Sequence, residues 1–111
     1  MPATADMSSR YRILQSASHR IDEIYQYTHD NWGQAQARSY IQELFDTFDA
    51  ISHQSVLWRK IPAAYGVNGY YTQYERHFIY WKTLQNGDVG IATILHERMN
   101  RGDRLAEDWT K

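Results

Sequence analysis

The sequence predicts an α+β domain: a short N-terminal strand, then an α-helical hairpin packed on a small antiparallel β-sheet. Three observations carry this reading. Apolar residues recur at helical spacing through residues 21–51, with one interruption at Gly33. Three short segments between Tyr70 and Leu95 are dense in aromatic and β-branched side chains, which suit a pleated, half-buried surface. Asn86-Gly87 joins the last two segments, and both residues tolerate the positive φ of a tight hairpin.

Each element follows in order. Residues 1–9 are small and polar and are expected to form a disordered tail, with Met7 as a second candidate start. Arg10 to Ser16 reads as a short strand in which Tyr11 and Ile13 alternate with Arg10 and Arg12. Ser16 or Ser18 is expected to cap the first helix, placing Asp22 and Glu23 in its first turn, where the helix dipole favours negative charge. Its apolar stripe is Ile21, Ile24, Tyr25, Thr28 and Trp32, and Gly33 ends it. The second helix runs from about Gln34 to His53 with the stripe Ala37, Tyr40, Ile41, Leu44, Phe45, Phe48 and Ile51. Helices joined so tightly form an αα-hairpin, and their shared stripe needs an apolar face to cover.

Residues 54–64 connect the hairpin to the sheet and carry Trp58, Arg59 and Lys60 before Pro62. The strands are Tyr70–Tyr74, Arg76–Leu84 and Val89–Leu95; in the last, Val89, Ile91, Thr93 and Leu95 alternate as in a half-buried strand. Arg101 to Asp108 reads as a short helix, and residues 109–111 form a tail that contains Trp109. The organisation is one domain over residues 10–108, the ordinary size for a single core.

Composition excludes several function classes. There is no Cys, so disulfides, thiolate catalysis and Cys-ligated zinc are ruled out, and a reducing cytoplasm is permitted. No apolar run approaches the roughly 20 residues that span a membrane, and residues 1–9 are too polar for a signal peptide. A cytoplasmic protein is the expectation. The formal net charge of −1 weighs against broad contact with a phosphate backbone. Nine Tyr and four Trp supply more amphipathic aromatic surface than a minimal core needs, which points to contact surfaces.

The candidate chemistry is thin. The five His residues (19, 29, 53, 77 and 96) show no metal-ligand spacing, and His96-Glu97 is only half of a His-Glu-x-x-His motif, so neither metal nor cofactor is expected. His77 lies on the strand face opposite Phe78 and Tyr80; it reads either as a structural His or as a general base or target contact. His96, at the end of the last strand, faces the same alternatives. Gly66-Val67-Asn68-Gly69 precedes a strand and cannot aim a helix N-terminus at a phosphate. The basic and aromatic residues of the sheet fit either a nucleic-acid surface or a protein-binding one, and near-zero net charge favours protein.

Four stretches resemble one family. Ile21 to Tyr27 is similar to its Asp-Leu-x-x-Ile-x-x-Tyr first helix, and Asn31 to Ala37 to its Trp-Gly-x-x-x-Ala hinge. His77-Phe78-Ile79-Tyr80-Trp81 resembles its His-x-Ile-Phe-Tyr strand, and Ile94 to Asn100 its closing Ile-Leu-His-x-x-Met-Asp, here with Asn. These span about Ile13 to Leu105 in the family's order. The family is the ParE branch of the RelE/ParE superfamily, the toxins of bacterial type II toxin–antitoxin modules.

The resemblance implies a helix hairpin on a small antiparallel sheet and a non-enzymatic toxin that inhibits DNA gyrase by protein–protein binding. It implies a cognate antitoxin that neutralises the toxin in a hetero-oligomer, with no membrane contact and nucleic acid reached only through the antitoxin. On that basis Arg76, His77, Arg98, Met99, Arg101 and Arg104 are the expected target contacts, and Ile24, Tyr27, Trp32, Tyr40 and Phe45 the expected antitoxin contacts. The alternatives are a ribosome-dependent mRNA endoribonuclease, resembling the RelE branch and using Arg76, His77, Tyr80, His96 and Arg98, or a non-toxic remnant that only binds its antitoxin. Tyr70, Tyr71 and Thr93 stand where many relatives carry Arg, which removes cations a nuclease would use on its phosphate.

Overall fold

The computed structural model describes residues 11–110. The expected tail over residues 1–9 lies outside them, as do Arg10 and Lys111. The elements are β1 (Tyr11–Ile13), α1 (Gln15–Trp32), α2 (Gln34–Ser52), β2 (Arg59–Lys60), a 3-10 turn (Ala63–Tyr65), β3 (Tyr70–Tyr74), β4 (His77–Thr83), β5 (Val89–His96) and α3 (Arg101–Asp108). The fold is α+β, with the helix hairpin laid on the sheet as expected.

The sheet has five strands in the order β1-β5-β4-β3-β2. β1 pairs with β5 in parallel and every other pair is antiparallel, so the sheet is mixed. A parallel neighbour needs a long crossover, and here most of the chain supplies it. Residues 54–64, expected to be only a connection, include β2, whose two residues bond to β3 in the register Arg59↔Tyr71 and Lys60↔Tyr70.

α1 begins earlier than the sequence suggested. Its N-cap is Leu14, with no side-chain cap, so neither Ser16 nor Ser18 caps it, and no acidic residue lies in its first turn. Ser16 is instead drawn inward, where its hydroxyl donates to the Asp108 carbonyl at 3.1 Å. The buried face of α1 is Ser16, Ala17, Ile21, Ile24 and Thr28, while Trp32 in its last turn is exposed to solvent. Gly33 adopts φ 93° between the two helices, a conformation that costs Gly nothing and a Cβ-bearing residue much more. α2 buries Ala37, Leu44, Phe48 and Ile51 at helical spacing.

β5 is buried from Gly90 to Leu95, on both faces. The half-buried alternation expected for Val89, Ile91, Thr93 and Leu95 fails because the register slips between Tyr80 and Trp81. Trp81 pairs with Ile91 and Tyr80 with Thr93, so Ala92 is an extra residue that re-phases the strand. Val89, Ile91 and Ile94 therefore join the core under the helix hairpin, with Ile79, Trp81, Leu44 and Phe48. Leu95 joins a second core on the other face, with Tyr80, Ile61 and Leu105 of α3. The sheet is thus covered on both sides, where two layers were expected.

The β4–β5 connection is a wider turn than the two-residue hairpin expected. The Leu84 carbonyl accepts from Gly87 N at 2.9 Å, Leu84 N donates to the Asp88 carbonyl at 2.7 Å, and of Asn86 and Gly87 only Gly87 has positive φ. α3 spans the expected residues. Asn100 caps it, its side chain accepting from Asp103 N and donating to the Asp103 carboxylate. Trp109 packs into the second core beside Gly69, whose missing Cβ leaves room for the ring, and Lys82 Nζ lies 5.3 Å from the Trp109 ring centroid.

Candidate functional site

A cleft of about 760 Å³ opens between the helix hairpin and the ends of β4 and β5. α1 lines one wall with Ile24, Tyr27, Thr28 and Trp32, residues that recur every three or four positions and so share one face. Tyr40 closes the wall from α2. The floor is Ile94, His77 and His96, and the loop after β5 adds Arg98 and Met99.

The two histidines meet because strand pairing places them opposite each other, on the face that also carries Ile79 and Ile94. Their ring centroids are 5.2 Å apart and the rings stand edge to face at 89°. Tyr40 reaches down from α2, and its hydroxyl lies 2.6 Å from His77 Nδ1. Burial, and then the neighbouring His96, hold the His77 pKa down to about 4; Glu97 opposes them and is outweighed. Burial, with Glu75 and Glu43 nearby, pushes Tyr40 up to about 12. At neutral pH the contact is therefore a bond between two uncharged groups.

Around this pair the polar groups are committed. His96 Nδ1 accepts from the Arg98 backbone N–H at 3.1 Å, which leaves the proton of the neutral ring on Nε2. The Arg76 guanidinium bonds Glu97 at 3.0 Å, and the Glu97 N–H donates to the Arg76 carbonyl at 2.9 Å. Tyr74 donates its hydroxyl proton to the Glu43 carboxylate across the strand–helix gap. Arg20 sits at the far rim between Glu23 and Asp108. Arg98 makes no ion pair among the described residues and lines the cleft.

The other rim is apolar and open. Tyr27 and Trp32 are 62% and 64% exposed, and their rings meet edge to face at 5.9 Å. Large aromatic rings left wet inside a cleft are surface that a partner can bury. The acid–base side is weaker. A general base works best with a pKa near the working pH, and His77 lies well below it with Nδ1 held by Tyr40. Among the described residues no group of three His, Cys, Asp or Glu side chains is placed to hold a metal ion. No described helix is long and apolar enough to cross a membrane.

The structure brings most of the sequence-derived candidates into this one cleft. Ile24, Tyr27, Trp32 and Tyr40 line it together with Arg76, His77, His96, Arg98 and Met99. Four residues lie elsewhere. Tyr80 is buried on the opposite face, raised to about 12 chiefly by that burial, and cannot join His77 in one reaction. Arg101 stacks over the Phe78 ring at 4.2 Å on that same face. Arg104 pairs with Glu107 on α3, and Phe45 packs on Phe48. The sequence reading missed Arg20, Glu23, Thr28 and Gln36 as cleft residues. Arg20 and Thr28 stand one turn either side of Ile24, so extending that periodicity would have found them.

The family model described as ParE toxin of type II toxin-antitoxin system, parDE, matches residues 11–101. The chain is similar to Toxin ParE1 of Mycobacterium tuberculosis, in strain CDC 1551 / Oshkosh and in strain ATCC 25618 / H37Rv. Identity to each is 28% over 96 residues, covering 85% of this chain and 95% of the relative.

Proposed function

The chain belongs to the ParE toxin family of type II toxin–antitoxin systems, and on that premise we propose that it is a cytoplasmic toxin that inhibits DNA gyrase by binding it, without catalysis, and is neutralised by a cognate antitoxin. The observation that carries this is the composition of the cleft. One side offers exposed Tyr27 and Trp32 over Ile24, a seat for an apolar helix face. The other offers Arg76, His77, Arg98 and Met99, the residues proposed to meet the target. Because both sets share one cleft, an antitoxin seated against the aromatic rim also covers the target contacts. Neutralisation is then simple occlusion.

The ribonuclease reading has one observation in its favour: Arg76, His77, His96 and Arg98 stand together. Against it, Tyr80 lies on the wrong face, His77 is held neutral, and the Arg76 charge is offset by Glu97. Cleavage needs a base for the 2′-hydroxyl, an acid for the leaving group and a cation for the phosphate. Binding needs none of these. The test is supercoiling by purified gyrase with this protein titrated in. Loss of supercoiling with broken DNA trapped supports the proposal; intact supercoiling at high excess rejects it and makes translation-dependent mRNA cleavage the leading account.

A further inference from the structure

Four large hydrophobic side chains are exposed among the described residues, and the cleft accounts for only two of them. The other two are consecutive: Leu57, 94% exposed, and Trp58, 52% exposed. They sit just before β2, at the sheet edge opposite β1, and share no residue with the cleft.

These side chains are held outward by a fixed backbone. The Leu57 carbonyl accepts from the Thr72 hydroxyl at 2.7 Å. The Trp58 ring stands edge-on to Tyr70, with centroids 5.1 Å apart and an angle of 85°. Arg59 and Lys60 are locked in register against Tyr71 and Tyr70, and Ile61 N donates to the Gly69 carbonyl at 3.0 Å. A depression of about 500 Å³ continues from Trp58 across Tyr70 and Trp81 to the β4–β5 turn.

The charge of this arm is one-sided. From Gln54 to Tyr74 the chain carries Arg59 and Lys60 and no Asp or Glu, within a protein of net charge −1. Both cations are exposed. The arm therefore presents an apolar anchor with two cations beside it, and the one acid of the adjoining depression, Asp88, lies at its far end in the β4–β5 turn. The strand itself is poorly suited to pair with another chain: it is two residues long, carries Lys60 and stops at Pro62, the features that blunt an open edge. Its partner is met through side chains, not by extension of the sheet.

We infer that Leu57, Trp58, Arg59 and Lys60 form a second docking element, outside the cleft, that seats in an apolar socket on gyrase rimmed by carboxylates. This rests on the gyrase reading above. Of the two partners that reading gives the toxin, the antitoxin is assigned to the cleft, with which the arm shares no lining residue. Leu57 and Trp58 supply the desolvated anchor and the two cations supply steering and orientation.

The test compares wild type, Trp58→Ala and the double variant Arg59→Glu/Lys60→Glu in a gyrase supercoiling assay. Far-UV circular dichroism and thermal midpoints confirm the fold of each. The double variant changes exposed residues only and keeps the test decisive if Trp58→Ala unfolds. Wild type is expected to inhibit, and each variant to need a roughly ten- to hundred-fold higher concentration for half-inhibition. Inhibition by folded variants at the wild-type concentration overturns the inference. So does wild type that fails to inhibit at all, an outcome that marks the failure of the gyrase reading itself. A gel shift of plasmid DNA without gyrase, lost in the variants, reassigns the arm to nucleic acid and overturns it. Self-association lost in Trp58→Ala with inhibition unchanged reassigns it to a second copy and overturns it equally.

Discussion

The Tyr40 hydroxyl lies 2.6 Å from His77 Nδ1, the one direct side-chain hydrogen bond among the described residues between the helix hairpin and a histidine of the cleft floor. It ties α2 to β4 across 37 positions of sequence, and it holds because both groups are uncharged at neutral pH. Protonating His77 sets a cation in a buried position beside His96, which the fold resists.

Stability should therefore depend on pH through His77. The imidazole titrates near 6.5 when unfolded and at about 4 when folded. Between those values the unfolded chain binds more protons, so this contribution is complete above about 6.5 and is lost as pH falls toward 4. The loss is expected to be on the order of 2 kcal/mol, since His77 is partly open to solvent and its charge partly screened. Urea unfolding from pH 7 to pH 4, for wild type and His77→Gln, measures it. The variant's stability should fall less over this range; parallel profiles would show that His77 is not the group responsible.

Asp108 should be the most sensitive charged position. Its carboxylate accepts from Arg20 at 3.0 and 3.1 Å and from the Thr93 hydroxyl at 2.8 Å, with the side chains of Arg20 and Asp108 only 13% and 7% exposed. Asp108→Ala leaves the half-buried Arg20 with only the exposed Glu23 as partner and should cost about 3 kcal/mol, with Arg20→Ala costing a similar amount because it leaves the buried Asp108 carboxylate unpaired. The double variant should cost clearly less than the sum, because it removes both charges together. A denaturation cycle reads this directly, and additive losses would show that the pair is uncoupled.

The two cases differ in what the sequence disclosed. The helix hairpin was legible because Gly33 interrupts two local apolar periods, and the strands were legible from residue type around Asn86-Gly87. Counting along β4 set His77 on the face opposite Phe78 and Tyr80, but that His96 stands beside it follows only from the strand pairing. The re-phasing of β5 was hidden, because an extra residue at Ala92 leaves no mark in an apolar run. The Ser16–Asp108 contact was hidden for another reason: it joins residues 92 apart, and no local pattern announces that a backbone carbonyl at the end of α3 meets a hydroxyl in the first turn of α1. The same limit explains why Trp109 read as a tail residue and why Tyr80 was grouped with His77, one sheet face away.

Trp32 should matter for partner binding and little for folding. It is 64% exposed on the cleft rim, against Tyr27 and away from the core. Trp32→Ala is expected to change stability by about 0.5 kcal/mol or less. It should weaken binding of a cognate antitoxin by about 2 kcal/mol, close to thirty-fold. Calorimetric titration of the antitoxin into each protein decides this; equal affinities would place the antitoxin elsewhere.

The most direct measurement is a gyrase reaction run with wild type and with the His77→Ala/His96→Ala variant, scoring supercoiling and cleaved DNA on one gel. Wild type is expected to abolish supercoiling and accumulate broken DNA, and the variant to do so within about ten-fold of the same concentration, since no proton transfer is required. Unimpaired supercoiling with wild type, together with mRNA cleavage that disappears in the variant, would contradict the gyrase reading.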